Sequence, residues 1–528
     1  MAHTNGQFNR REFLRLTGIG SAGLLAAACV APPAPVAPVA SSPAAMPLSG
    51  GLLRAGIQSD YVDIDPHHSK GGGIIQIHRS LSEISLTRWL PDEKEIHPYL
   101  AESWEWTNDN HTLVFHLRQG VKFHDGTEVT ADDVQFSIER LLDPDVQTGA
   151  GDVLRRLEES TIEYLDKYTV SFTTERPHRK APIDFGGVGI ISPNWTPDNP
   201  ISAGPFVFEE WERNQIIKYR RFEDYWEEGI PQLDQVELYP TPDEEVRYLR
   251  LLAGELDFID AAPLTRMKDV LANPSLQLFR PQDTGGWLWI IPNLKYEPLA
   301  DHRVRQAMNW AIDRPGLVEL LDGVPMKWSR LSPDSPFSHP DAIRYDHQDL
   351  EQARALMAEA GYADGFDVEL LLVGDLLMVP TMAQWFQANW KEIGINVTIN
   401  LTEPGNFHDR LLDKKDYQLA FTGNGAPNRP EMVYPSTKWI SKYTGFNAPE
   451  FPKAQEMWDL IDAGLEEFDD EKSLAIWQQV HQLEMEYVPD FTVSSHTYIH
   501  AATARLKDYE MFSGRLLPAF NWCRLEPA

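Results

Sequence analysis

Residues able to do chemistry are plentiful in this chain, but they do not fall at the spacings that catalysis uses. There is no His-Glu-x-x-His, no phosphate-binding loop ending in Gly-Lys-Ser/Thr, no Gly-x-Ser-x-Gly and no cysteine pair at metal spacing. His67, His68 and His78 could in principle bind a metal, yet histidines in a polar loop and a neighbouring helix read first as plain surface residues. Asp132-Asp133 and Glu466-Glu467 have the look of paired acid/base carboxylates. In a chain with 79 Asp and Glu they read as solvated helix faces. Asn396-Val397-Thr398 spells a glycosylation acceptor and carries little weight. What remains is chemistry of recognition. The chain has 16 Trp and 17 Tyr, suited either to packing or to stacking walls around a ligand. Trp287 and Trp289 share one face of the β-like run Trp287-Leu288-Trp289-Ile290-Ile291, where core packing competes with a stacking wall.

The length of 528 residues suffices for two or more domains. A net charge of −32 and a pI near 4.8 disfavour nucleic acid as a partner, because binding phosphate needs a basic surface. Residues 1–29 read as an export signal. Asn9-Arg10-Arg11-Glu12-Phe13-Leu14-Arg15 resembles a twin-arginine motif, and Leu16 to Ala28 is a weakly apolar run too short to span a bilayer. Gly18-Ile19-Gly20-Ser21-Ala22-Gly23 spells a dinucleotide fingerprint, but no strand precedes it. Ala26-Ala27-Ala28-Cys29 resembles a lipobox with Ala26 where Leu is commonest, so lipidation of Cys29 competes with plain cleavage after Ala28. Residues 30–50 are Pro- and Ala-rich and read as an extended tether that would hold the body clear of a membrane. With Cys29 lipidated or removed, Cys523 has no disulfide partner.

The elements that must position any site follow from periodicity. Pro98 to Leu141 reads as a small β-meander ending in a helix. Leu113, Phe115 and Leu117 fall on one strand face, and Val114, His116 and Arg118 on the other. Asn108-Asp109-Asn110, Gly120 and Asp125-Gly126 are turn chemistry. Thr130 and Asp133 form a capping box for a helix lined by Val134, Ile138 and Leu141. Asp243 starts a helix with Val246, Leu249 and Leu252 at helical spacing, ended by Gly254. Asp301 caps another, with Val304, Met308, Ala311 and Ile312 as its apolar stripe and its arginines at the surface. Ala353, Leu356, Met357 and Ala360 face inward on a helix closed by Gly361. A strand over Phe366–Val373, a helix from Pro380 to Gly394 and a strand over Ile395–Leu401 give βαβ order. Leu474, Trp477, Val480, Leu483 and Tyr487 mark a late amphipathic helix, and Thr497 to Ala502 carries the chain back.

These segments carry a resemblance. Leu100 to Arg140, LAESWEWTNDNHTLVFHLRQGVKFHDGTEVTADDVQFSIER, resembles in type, order and spacing the signature of family 5 (peptide/nickel-type) extracytoplasmic solute-binding proteins of ABC importers. Ala203 to Trp211, the RFEDYW element at Arg221–Trp226, the helix Asp301–Arg314 and the segment Tyr345–Tyr362 are similar to further family elements. The resemblance implies an α/β, bilobed periplasmic-binding-protein-like fold with an extra subdomain in lobe I and a ligand cleft between the lobes. It implies lobe I over 51–284 with its subdomain at about 66–200, lobe II over 285–492, and a return to lobe I over 493–528. It implies no enzyme activity and no cofactor. Cargo would be a small molecule or short peptide, the partner an ABC permease, and the protein a lipid-anchored, exported monomer. An exported hydrolase and a chaperone-like or sensory receptor are the rival classes. The loop after the first strand, with Ser59, Asp60 and Tyr61, often reaches the ligand in such proteins. The segment Ala420–Glu431 resembles the one in which dipeptide-binding relatives place an Asp against the ligand's amine; here Asn424 stands there, with Arg429 and Glu431 nearby. A neutral Asn makes a zwitterionic dipeptide a poorer fit and suits hydroxyl-rich ligands such as oligosaccharides. The expected ligand residues are therefore Tyr61, Trp287, Trp289, Asn424, Arg429 and Glu431.

Overall fold

The computed structural model describes residues 50–527, apart from 69–74, 91–94, 144, 147–159, 281–286, 322–325, 332–334, 374–377, 425–428, 436–452, 496–498 and 512–518. The export signal with Arg10, Arg11 and Cys29, and the tether up to residue 49, lie outside the described residues. No helix among the described residues is long and apolar enough to cross a membrane.

Three sheets organise the chain. The first has seven strands in the order Leu276–Phe279, His500–Thr503, Phe258–Ile259, Leu52–Ile57, Gln235–Pro240, Ile216–Arg221 and Phe206–Glu212. The second has five, in the order Ile395–Thr402, Phe366–Val373, Leu419–Asn424, Trp287–Pro292 and Phe491–Ser495. The third is a four-stranded antiparallel meander, Ala101–Thr107, Thr112–Leu117, Thr169–Thr174 and Ser160–Asp166. The chain leaves the first sheet after Phe279 and enters the second at Trp287. It leaves the second after Ser495 and rejoins the first at His500. Phe366–Val373 and Ile395–Thr402 pair in parallel through the helix Val379–Lys391, the βαβ order read from the sequence.

The meander follows its alternation. Leu113, Phe115 and Leu117 are buried, and Asn108, Asp109 and Asn110 all take positive φ in the turn before them. The Asp133 carboxylate returns to the Thr130 amide at 2.8 Å, and the Thr130 hydroxyl donates to that same carboxylate at 3.0 Å. Val134, Ile138 and Leu141 point into the meander core.

Two expectations about helix faces fail. On the helix Glu244–Leu252, Val246, Leu249 and Leu252 share a face, but that face is exposed; Arg247, Tyr248 and Leu251 are the buried side. The Arg247 guanidinium earns its burial by donating to the carbonyls of Thr241, Pro242 and Ala261. On the helix His302–Trp310 the apolar stripe is buried as expected, yet Arg305 is fully buried instead of superficial. It donates to the carbonyls of Leu299, Ala300, Tyr487 and Val488. Its neighbour Gln306 takes Glu486, and the Tyr345 hydroxyl takes Met485. Four successive carbonyls at the end of the helix Asp470–Tyr487 are thus satisfied by side chains from elsewhere, where no intrahelical donor exists.

Candidate ligand-binding site

The loop Gln58–His68, after the first strand, is tied down on all sides. The Asp60 carboxylate accepts from the amides of Tyr61 at 2.8 Å and Asn214 at 2.7 Å, and from the Trp211 indole at 2.8 Å. Tyr61 is 2% exposed. Its hydroxyl accepts from Tyr219 at 3.2 Å, and its ring meets His78 and Trp211 edge-on. The side chain therefore packs in the core under the seven-stranded sheet and offers no open face; Ser59 is the exposed residue of the trio.

Of the three histidines singled out in the sequence, His68 is partly exposed beside Asp63 and Asp65, and the other two are not superficial. His67 and His78 are both buried. His67 sits between Arg140 at 2.8 Å and the Gly189 carbonyl at 2.9 Å; His78 Nδ1 meets the Tyr219 hydroxyl at 2.8 Å. Burial holds His67 down to about 4 and His78 to about 3, so both rings are neutral at pH 7. Glu83 lies 3.9 Å from His78 and is pushed up to about 8 by burial, which keeps it protonated. Among the described residues no group of three or more side chains could hold a metal ion.

In the five-stranded sheet the strand Trp287–Pro292 lies between Leu419–Asn424 and Phe491–Ser495. Its register sets Trp287 opposite Asn424 on one side and Ser495 on the other. Two of the expected ligand residues thus hold paired register positions at one end of the sheet. Trp289 stands opposite Thr422 and is 2% exposed, inside the second-sheet core. The Arg330 guanidinium lies over its ring at 5.0 Å. Its burial leaves it a packing and cation-π role instead of a free stacking face.

Sequence reasoning missed the charged cluster behind that ring. Arg330 pairs with Asp490, both essentially inaccessible, and its amide donates to Glu484 at 3.0 Å. The Tyr434 hydroxyl donates to the other Glu484 oxygen at 2.8 Å, while its ring stacks on Trp477 at 6.1 Å. Burial pushes Glu484 up to about 7. No local pattern marks Arg330 or Asp490, since each lies in a short irregular segment. Nearby, Arg429 Nε donates to Glu431 Oε1 at 2.5 Å across the start of the helix Pro430–Val433. These two expected residues form one ion pair, so Glu431 is already engaged and could meet a ligand amine only by sharing with Arg429 or releasing it.

Heme-binding protein A of Haemophilus influenzae is 27% identical over 461 residues, 80% of this chain and 83% of the relative. The dipeptide-binding protein of Escherichia coli is 26% identical over 471 residues, 79% and 84% of the two chains. Among solved structures, the binding protein AgaA from A. tumefaciens R10, in complex with agropinic acid, superposes with a TM-score of 0.75 at 27% identity. That match covers 90% of this chain and 99% of AgaA. NikA from Brucella suis, in complex with Fe(III)-EDTA, gives a TM-score of 0.80 at 19% identity, covering 90% and 100%. The architecture is the bilobed α/β binding-protein fold expected from the sequence. The model of bacterial extracellular solute-binding proteins, family 5 middle, matches residues 95–445, well over half of the chain, and the protein belongs to that family.

Proposed function

We propose that the protein is the substrate-binding component of an ABC importer that captures a peptide-like or oligosaccharide-like solute and hands it unaltered to a permease. The mechanism is closure. A ligand touching both halves favours the closed form by its differential affinity, and moving a population from mostly open to mostly closed takes roughly 5.5 kcal/mol of that difference. The observation that carries the cargo reading is the register pairing of Trp287 with Asn424 beside the inter-sheet crossing. The register is consistent with an aromatic residue and a neutral amide, not a carboxylate, lying on neighbouring strands where the sequence resemblance implies an amine anchor. The Arg429–Glu431 pair adds a charged element close in sequence. A name such as dipeptide-binding protein, and a complex with agropinic acid, support polar organic cargo.

The remaining parts are read from sequence alone. Arg10 and Arg11 direct export, Cys29 carries a lipid, residues 30–50 tether the body, and the protein works outside the cytoplasm as a monomer. The test is a ligand screen by intrinsic Trp fluorescence, with di- and tripeptides and neutral oligosaccharides side by side. Saturable quenching or shift with recovery of intact ligand is expected. Turnover of any bound compound would remove the importer reading.

A further inference from the structure

We infer that the basic end of the meander and the acidic corner between the helices Ala454–Glu466 and Asp470–Tyr487 form a clasp that holds the two halves together without ligand. The meander belongs to the half built on the seven-stranded sheet. Lys122 Nζ donates to Asp224 at 2.8 Å, Tyr99 meets Tyr225 at 3.1 Å, and the His124 amide donates to the Ser202 carbonyl at 2.8 Å. The acidic corner belongs to the other half: Met457, Ile461, Leu465 and Trp477 share a core with Trp289 and Ile291 of the five-stranded sheet. Two separately cored bodies therefore touch here, through residues some 290 positions apart in sequence.

The contact is specific. The Arg179 amide donates to the Leu465 carbonyl at 2.9 Å, and its guanidinium donates to Asp470 at 2.5 Å and to the Glu467 carbonyl at 3.4 Å. Arg176 pairs with Glu466 at 2.6 Å, and the Trp106 and Phe468 rings meet edge-on at 5.0 Å. Arg179 is held in place from behind, where His178 and Lys180 both bind Asp184. Glu466 and Glu467, which the sequence suggests are solvated faces, are thus part of an interface. The clasp is also weak by construction. Arg176 is 67% exposed and Asp470 84%, so water and salt compete for both pairs. A permanent joint would be buried; this one releases.

The inference concerns closure and holds whatever the cargo, so it is tested without ligand. Spin labels at Leu165→Cys on the meander and Leu320→Cys on the other half, in a Cys29→Ser background, report the distance between halves. Both sites are more than half exposed, and Cys523, 1% exposed, stays unlabelled. Electron–electron distance measurements at about 20 mM salt should show mainly the short population. Raising salt to about 500 mM, or introducing Arg179→Glu, should increase the long-distance fraction about three- to tenfold, the range that two exposed pairs can supply. Adding Asp470→Arg to Arg179→Glu should restore the short population. An unchanged distribution would overturn the clasp. So would a shift that the charge swap fails to reverse, since Arg179 would then act only on the fold of its own loop.

Discussion

Arg305 Nε donates to the Val488 carbonyl at 2.8 Å, joining a helix near the middle of the chain to the end of another 183 residues later. The same guanidinium takes three more carbonyls, and burial lowers its pKa to about 9. A cation here also opposes the negative end of the helix Asp470–Tyr487. Arg305→Leu keeps much of the apolar stem but leaves four carbonyls without this donor, those of Leu299 and Val488 in buried bonds and those of Ala300 and Tyr487 in partly buried ones. We expect a loss of about 3–5 kcal/mol in urea unfolding, with Arg305→Lys recovering part of it. A loss below about 1 kcal/mol would show that water replaces the guanidinium.

Glu83 gives a pH signature. Its pKa rises from 4.5 to about 8 on folding because burial penalises the carboxylate. Below 4.5 both states are neutral and the group contributes no pH dependence. Between 4.5 and 8 the unfolded chain ionises while the folded one keeps its proton, so stability falls as pH rises, by at most about 1.4 kcal/mol per unit. Glu83→Gln removes that slope. Thermal unfolding of the wild type should therefore lose Tm from pH 6 to pH 8 more steeply than the variant, and parallel curves would place the titration elsewhere. His67 and His78, held at about 4 and 3, act oppositely and cost stability as pH falls below 6.5.

The helix Glu244–Leu252 offers a comparison within one element. Leu249 is 58% exposed and Leu251 is 1% exposed. Leu249→Lys should change unfolding free energy by no more than about 0.5 kcal/mol, whereas Leu251→Lys should cost more than about 3 kcal/mol. Equal losses would mean that the exposed stripe is covered in solution.

The contrast shows what sequence could and could not supply. Turns, caps and strand alternation were legible because they depend on neighbours: the positive φ of Asn108, Asp109 and Asn110, and the Asp133 return to Thr130, are set within a few residues. Which face of the helix Glu244–Leu252 would be covered was not, because Arg247 is buried by carbonyls up to 14 residues away and periodicity treats a charge as outward. Arg305 and His78 were misplaced for the same reason. Of the expected ligand residues, Trp287 and Asn424 come from distant segments, and only strand register sets them opposite each other. The Arg330–Asp490 pair behind Trp289 left no trace, since neither flanking segment carries a repeat.

Asn424 is where cargo chemistry can be tested directly. A free-amine peptide brings an ammonium into a cleft that closes, and a buried charge is costly unless an opposite charge meets it. Asn424 offers no charge, and Glu431, seven residues on in sequence, already binds Arg429 at 2.5 Å. Asn424→Asp supplies the missing carboxylate at a position whose backbone is fixed by pairing with Trp287. One charge-assisted hydrogen bond replacing a neutral one should tighten binding of a free-amine dipeptide by about tenfold. The N-acetylated form of that dipeptide, which has no ammonium, should gain nothing, and a neutral oligosaccharide should bind no better or lose affinity. Isothermal titration of the three ligands against both proteins separates the cases. If the acetylated and free dipeptides improve alike, the gain comes from general closure and residue 424 does not face the amine. If neither improves, the strand end at Trp287 and Asn424 is not where the cargo's terminus lies.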